Sequence, residues 1–144
     1  MFTNILITTD GSELAKKAVQ QGLTVAKGMK AKATVVRATP APRTYVAEGV
    51  ILTPSVEVHE QVARVVADQF AGITQEAEAA GIACETVHVE SDLPWQAILD
   101  TAKDRRCDLI VMASHGRTGF SAAFLGSEVQ KVLAQSTVPV LVCR

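Results

Sequence analysis

Asp108-Leu109-Ile110-Val111-Met112-Ala113-Ser114-His115-Gly116 is the stretch on which the reading of this chain turns. The run from Leu109 to Met112 is apolar on both faces of any strand it forms, which suits the middle of a parallel sheet covered by helices above and below. Small and polar residues follow at once, and nine residues then separate Gly116 from Gly126-Ser127. Small residues at that spacing can fold backbone around a phosphate. Glycine at 116 and 126 permits positive φ and lets an anion approach backbone amides with no Cβ in the way. Ser127 is read as the start of the last helix, its hydroxyl capping the amide of Gln130 while Gln130 reaches back. A helix beginning there presents free amides and a partial positive charge to an anion.

Working outward, short β-branched runs alternate with longer stretches of helical period, the pattern of βαβ units. The predicted strands are 4–9, 33–38, 83–89, 108–113 and 138–142. After the first, Asp10-Gly11-Ser12 turns into a helix with Ser12 as N-cap and a stripe through Ala15, Ala18, Val19, Gly22, Val25 and Ala26. Thr53-Pro54 supplies an N-cap and a first helical position for the longest helix, whose stripe runs through Val58, Val62, Val65, Val66, Phe70, Ile73, Ala77 and Ala80 to Gly81. Ser91-Asp92 with Pro94 opens a shorter helix, and Val129, Val132 and Leu133 are the inward positions of the last. This predicts one doubly wound α/β domain over residues 1–144, a five-stranded parallel sheet in order 3-2-1-4-5 with four helices on its two faces. Ligands of such sheets bind where strand order reverses, at the carboxyl ends of the strands, here between Asp10 and Ala113.

Composition excludes several classes. The chain has 144 residues, 48% of them hydrophobic, and a formal net charge of -1. No basic run exceeds two residues, so nucleic acid is not an expected partner. Apolar runs are far shorter than the ~20 residues of a spanning helix, and the N-terminal segment lacks the pattern of a secretory signal. A cytoplasmic protein without membrane contact is expected. Cys84, Cys107 and Cys143 are widely spaced among apolar residues and read as buried thiols. A Gly-x-x-x-x-Gly-Lys-[Ser/Thr] loop and a Gly-x-Gly-x-x-Gly turn are both missing, and Asp10 lacks the acidic neighbours of a receiver domain. Arg37 on a buried strand needs a partner, while His59 and His88 are surface or packing residues.

Five segments together resemble the universal stress protein family across almost the whole chain. They are Ile5 to Ser12, Asp108 to Met112, Ser114 to Gly119, Leu125-Gly126-Ser127 and Val138 to Arg144. The family's nucleotide-binding branch carries glycine, two residues, glycine, nine residues, then glycine with serine or threonine. Gly116, Gly126 and Ser127 match, and Ala113 stands where the first glycine would be. If Ala113 has ordinary strand geometry its methyl costs little; in left-handed geometry it would cost about 1–2 kcal/mol.

The resemblance implies a stress-response protein that binds ATP, AMP or another adenine nucleotide as a regulatory ligand. Thr8 and Asp10 would line the adenine and ribose side and Ala38 would touch the base. Met112, Ala113, His115, Gly116, Arg117, Gly126 and Ser127 would complete the site. Arg117 could clamp a β- or γ-phosphate bidentately. Magnesium could accompany ATP, with Asp10 a possible ligand, and no metal site is assigned. His115 is not assigned a catalytic role, because no partner for general-base work is evident; at most slow ATP hydrolysis is open. A module of the same fold that binds no nucleotide is the other alternative. The last strand is apolar on both sides and followed by no helix, and the resemblance implies a homodimer that covers it through Val138, Val140, Leu141 and Val142.

Overall fold

The computed structural model of the chain describes residues 1–116 and 124–144. Strands β1 (Asn4–Thr8), β2 (Lys32–Thr39), β5 (Cys84–Glu90), β6 (Leu109–Ala113) and β7 (Val140–Cys143) form one sheet in the order β5-β2-β1-β6-β7. Every pairing in it is parallel. Counted among themselves, these strands have the expected order 3-2-1-4-5. Helices α1 (Glu13–Met29), α2 (Val56–Ala79), α3 (Pro94–Asp104) and α4 (Ser127–Gln135) cover the sheet. Strands β3 (Tyr45–Ala47) and β4 (Val50–Leu52) form a separate antiparallel hairpin.

Alternate residues of each strand serve opposite faces. Ile5, Ile7, Val35 and Val111 pack with α1 and α2 through Val19, Leu23, Val66 and Phe70. Leu6, Val36, Ile110 and Met112 pack with α3 and α4 through Ile98, Val129 and Val132. Each fully buried Leu, Ile or Val side chain contributes about 1.5–3 kcal/mol, so β1 and β6, apolar on both faces, anchor the core. α1 lies so close to β1 that a Cβ on Gly22 would stand 2.7 Å from Ile7 Cδ1.

Several local expectations are corrected. The N-cap of α2 is Ser55, whose Oγ accepts from Val58 N at 3.3 Å, because the Thr53 hydroxyl is engaged with Thr44 Oγ1 at 3.3 Å. Residues 45–52, to which no strand is assigned above, fold into the hairpin: Glu48 (φ 50°) and Gly49 (φ 78°) supply the paired positive φ of a two-residue turn. Only the C-terminal part of the α2 stripe is buried, through Val66, Phe70, Ile73 and Ala77. Val58, Val62 and Val65 are exposed. Leu133 of α4 also points outward. The cap of α3 is Leu93, with no side-chain hydrogen bond.

Strand ends differ from expectation by one or two residues. β7 begins at Val140 because Val138 is held in a turn, its N donating to Ser136 Oγ at 3.2 Å and its carbonyl accepting from that hydroxyl at 2.7 Å. Arg37 is buried and donates from Nη1 to Gln69 Oε1 at 2.7 Å. His59 pairs with Glu90 at 2.9 Å, and His88 Nε2 shares a hydrogen bond with Thr39 Oγ1 at 2.7 Å. Cys107 and Cys143 are buried, whereas Cys84 is only partly so. Burial pushes all three thiols up. Among the described residues no helix is long and apolar enough to cross a membrane.

At the amino end of the sheet, Asp108 ties β6 to the chain entering β1. Its Oδ2 accepts from Thr3 N at 2.8 Å and Thr3 Oγ1 at 3.0 Å, and its Oδ1 from Asn4 N at 3.1 Å. Burial raises its pKa, but these donors outweigh burial and hold it below the ordinary carboxylate value. A depressed folded pKa stabilises the fold above the unfolded value, and that contribution is lost as pH falls through the folded one. Asp108→Asn should therefore destabilise the protein by about 1 kcal/mol at neutral pH, with the gap to wild type closing in acid. Urea denaturation over a pH series measures it; a pH-independent gap would remove the carboxylate from the account.

Candidate functional site

Strand order reverses between β1 and β6. The chain leaves β1 toward one side of the sheet and β6 toward the other, and a crevice opens at their carboxyl ends. On the β1 side, Thr9 N donates to Val36 O at 3.0 Å and Gln69 Nε2 donates to Thr9 Oγ1 at 3.1 Å. Gly11 then turns with φ 82°, and Asp10 Oδ1 accepts from Ser12 N at 2.9 Å. Ser12, the cap of α1, accepts from Ala15 N at 3.2 Å. This ladder of short-range bonds points the Asp10 carboxylate toward the end of β6.

On the β6 side, Ser114 N donates to Cys143 O at 2.7 Å, which carries the β6–β7 pairing one step further. Ser114 O accepts from Gly126 N at 2.8 Å. Gly126, at the start of α4, is thus tied to the residue that follows β6. His115 Nδ1 shares a hydrogen bond with Ser114 Oγ at 3.1 Å.

The two glycines sit where a Cβ would be crowded. Gly126 has φ −61° and ψ 154°, and Gly116 is not among the described glycines with positive φ. A Cβ on Gly116 would lie 2.7 Å from Asp10 Oδ2; one on Gly126 would lie 3.2 Å from His115 Cα and 3.4 Å from Ser114 O. The expectation that these positions use positive φ is corrected accordingly. Gly126 is the N-cap of α4 and offers no side-chain acceptor, so Ser127 is the first helical residue. The expected capping box does not form; Gln130 Nε2 donates instead to Leu125 O at 2.8 Å. Ala113 is the last residue of β6, outside the positive-φ set, so its methyl sits on ordinary extended backbone.

A cavity of about 480 Å³ occupies the crevice. Thr8, Asp10, Ala38, Met112, Ala113, His115, Gly116, Gly126 and Ser127 all border it, and Arg117 lies outside the described residues. Its volume and mixture of apolar wall with a few polar groups are those of a small-molecule site. Pro94, Ile98, Leu125, Glu128 and Val129 also form its wall, and sequence reasoning did not assign them to it. Ile98 and Val129 face the core by period, and only the packing of α3 against α4 shows that one edge of each reaches the crevice. Among the described residues no group of three or more His, Cys, Asp and Glu is placed to hold a metal. Among the described residues the edge strand β7 pairs with β6 alone; Val140 and Val142 are half-buried toward α3 and α4, and Leu141 is 40% exposed.

The sequence model of the universal stress protein family matches residues 1–144. The chain belongs to the universal stress protein family. A universal stress protein of Thermus aquaticus is 32% identical over 144 residues, with the whole of both chains covered. The solved structure of MJ0577 from Methanocaldococcus jannaschii superposes with a TM-score of 0.79 at 24% identity, covering 99% of this chain and 96% of that one. A universal stress protein in complex with cAMP superposes with a TM-score of 0.73 at 21% identity, covering 99% and 97%. At these identities the two structures speak to the fold alone.

Gly116→Ala tests the close approach to Asp10. Alanine stiffens the unfolded chain by about 0.4–1 kcal/mol, but displacing the carboxylate from Ser12 N outweighs that, and a net loss of about 1 kcal/mol is expected in urea. In the Asp10→Ala background the loss should vanish; additive losses would mean that the two side chains do not compete for the space.

Proposed function

We propose that residues 1–144 act as one domain that binds ATP or a related adenine nucleotide as a regulatory ligand, in the cytoplasm, as a homodimer joined through β7. The observation that carries this reading is the cavity at the β1/β6 reversal, whose wall combines apolar side chains with the start of α4. Val36, Ala38, Ile98 and Met112 offer a planar base an apolar surface. The Asp10 carboxylate suits a ribose hydroxyl, and the first-turn amides of α4 with the Ser127 hydroxyl suit phosphate oxygens. Three or four charge-assisted hydrogen bonds of about 1.5–3 kcal/mol each support roughly micromolar affinity once ordering costs are subtracted. The cAMP complex of a universal stress protein supports a nucleotide as the class of ligand. Extended backbone at Ala113 supports binding in spite of the missing motif glycine.

Calorimetric titration with ATP, AMP and cAMP tests the ligand. Ala113→Gly should alter affinity by less than about threefold, whereas Gly126→Asp, which sets a carboxylate against the phosphate position, should abolish binding. No heat and no thermal shift at millimolar nucleotide would sink the claim. For the dimer, the unpaired edge of β7 and the exposed Leu141 support antiparallel pairing with a twofold mate. Sedimentation at micromolar concentration should give a dimer for wild type and a monomer for Leu141→Asp; a monomeric wild type overturns it.

A further inference from the structure

Polar side chains reach from α2 to the turn that carries Asp10. Arg37, on β2, is buried, and Gln69 stands three residues after Val66 and four before Ile73, on the buried stripe of α2. Arg37 Nη1 donates to Gln69 Oε1 at 2.7 Å, and Gln69 Nε2 donates to Thr9 Oγ1 at 3.1 Å. Thr9 Oγ1 also accepts from Gly11 N at 3.2 Å. The bonds thus run from a buried cation, through one amide, to the two residues that flank Asp10.

The guanidinium gives this chain its direction. Arginine has donors alone, so it settles which end of the Gln69 amide is the oxygen, and the other end must donate to Thr9. Groups withdrawn from water hold such an arrangement firmly, because breaking one bond strands a buried donor or acceptor. Thr9 is held a second time by its own amide, which donates to Val36 O at 3.0 Å. Between Thr9 and Gly11, the Asp10 carboxylate accepts from Ser12 N at 2.9 Å, and its other oxygen lies 2.7 Å from where a Cβ on Gly116 would stand. Among the described residues bordering the cavity none belongs to α2. Gln69 gives that helix a hold on the site without touching it.

We infer that Gln69, oriented by Arg37, is a positioning residue for the Asp10 carboxylate and so sets how strongly the site holds a ribose hydroxyl. The inference rests on the nucleotide reading above and brings α2 into it. A group that only supported the fold would weaken every ligand alike. One that aims Asp10 matters for the hydroxyl alone.

The experiment is titration of wild type and variants with AMP and with its dideoxy analogue, which lacks both ribose hydroxyls. Wild type should prefer AMP roughly tenfold, the worth of one hydrogen bond to a carboxylate. Gln69→Leu should cut that preference to about twofold by weakening AMP alone. Gln69→Glu should keep it, because a carboxylate there accepts from Arg37 and from a Thr9 hydroxyl turned to donate. In the Asp10→Ala background Gln69→Leu should change neither affinity. If Gln69→Leu strands Arg37 and does not fold, the pair Arg37→Met and Gln69→Leu removes both buried partners together and takes its place. Amide exchange of the ligand-free protein, followed by NMR, should be faster at Gly11 and Ser12 in the leucine variant. Both nucleotides weakened alike, a preference that survives the leucine variant, or unchanged exchange at Gly11 and Ser12 overturns the inference and leaves Gln69 a structural role. A wild type that binds AMP without preference removes Asp10 from the ribose, and the inference with it, while nucleotide binding stands. One that binds neither nucleotide overturns both readings.

Discussion

Ile5, Leu6 and Ile7 pair in parallel with Leu109, Ile110 and Val111, and both triplets are withdrawn from water on both faces of the sheet. Strands of that composition are stable only under helices on each side, and parallel strands can be connected only by crossovers. With β2 on one flank of the pair and β7 on the other, the crossovers depart in opposite directions. The crevice between Asp10 and Ala113 is the geometric consequence, so the site depends on the same burial that holds the core together. Its polar groups lie where β1 and β6 run out of apolar residues.

The space within that crevice is set by contacts that a Cβ would crowd. Asp10 is fixed by its bond to Ser12 N, and Gly116 yields to its other oxygen. Gly126 yields to the backbone of Ser114 and His115, and this lets the first turn of α4 face the cavity directly. Ala113, one strand-end residue earlier, meets no such requirement. The glycine pattern is therefore a record of crowding, and its positions differ in how much an alanine would cost.

Strand order, the faces of β1 and β6, and the polar floor of the cavity were legible in the sequence because each rests on a local signal: two-sided apolarity, a turn at Asp10-Gly11-Ser12, and small residues after Met112. The other wall was not. Pro94, Ile98, Glu128 and Val129 reach the cavity only because α3 and α4 lie together on one face of the sheet, a relation between segments about thirty residues apart. Capping failed for a similar reason. Thr53 and Ser127 are good caps by type, yet a cross-hairpin bond claimed Thr53, and close approach to Ser114 selected glycine at 126. The hairpin turn Glu48-Gly49 lacks the usual Asn or Asp, and that concealed it.

The length of α2 explains the one place where periodicity promised more core than exists. Twenty-four helical residues span about 36 Å, whereas the seven-residue strand β5 beneath them spans about 23 Å. The N-terminal turns of the helix therefore run toward and past the end of the strand, where His59 reaches Glu90 at 2.9 Å. Its C-terminal half, from Val66 to Ala77, sits on the sheet and is buried, and the overhang carries Val58, Val62 and Val65 outward beside the chain that forms β3 and β4. An apolar stripe records which face of a helix could be buried; the reach of the neighbouring strands decides how much of it is. On α2 the stripe outruns the sheet, and the apolar residues of the overhang and the hairpin, Tyr45, Val46, Val50, Ile51 and Leu52 among them, remain at the surface.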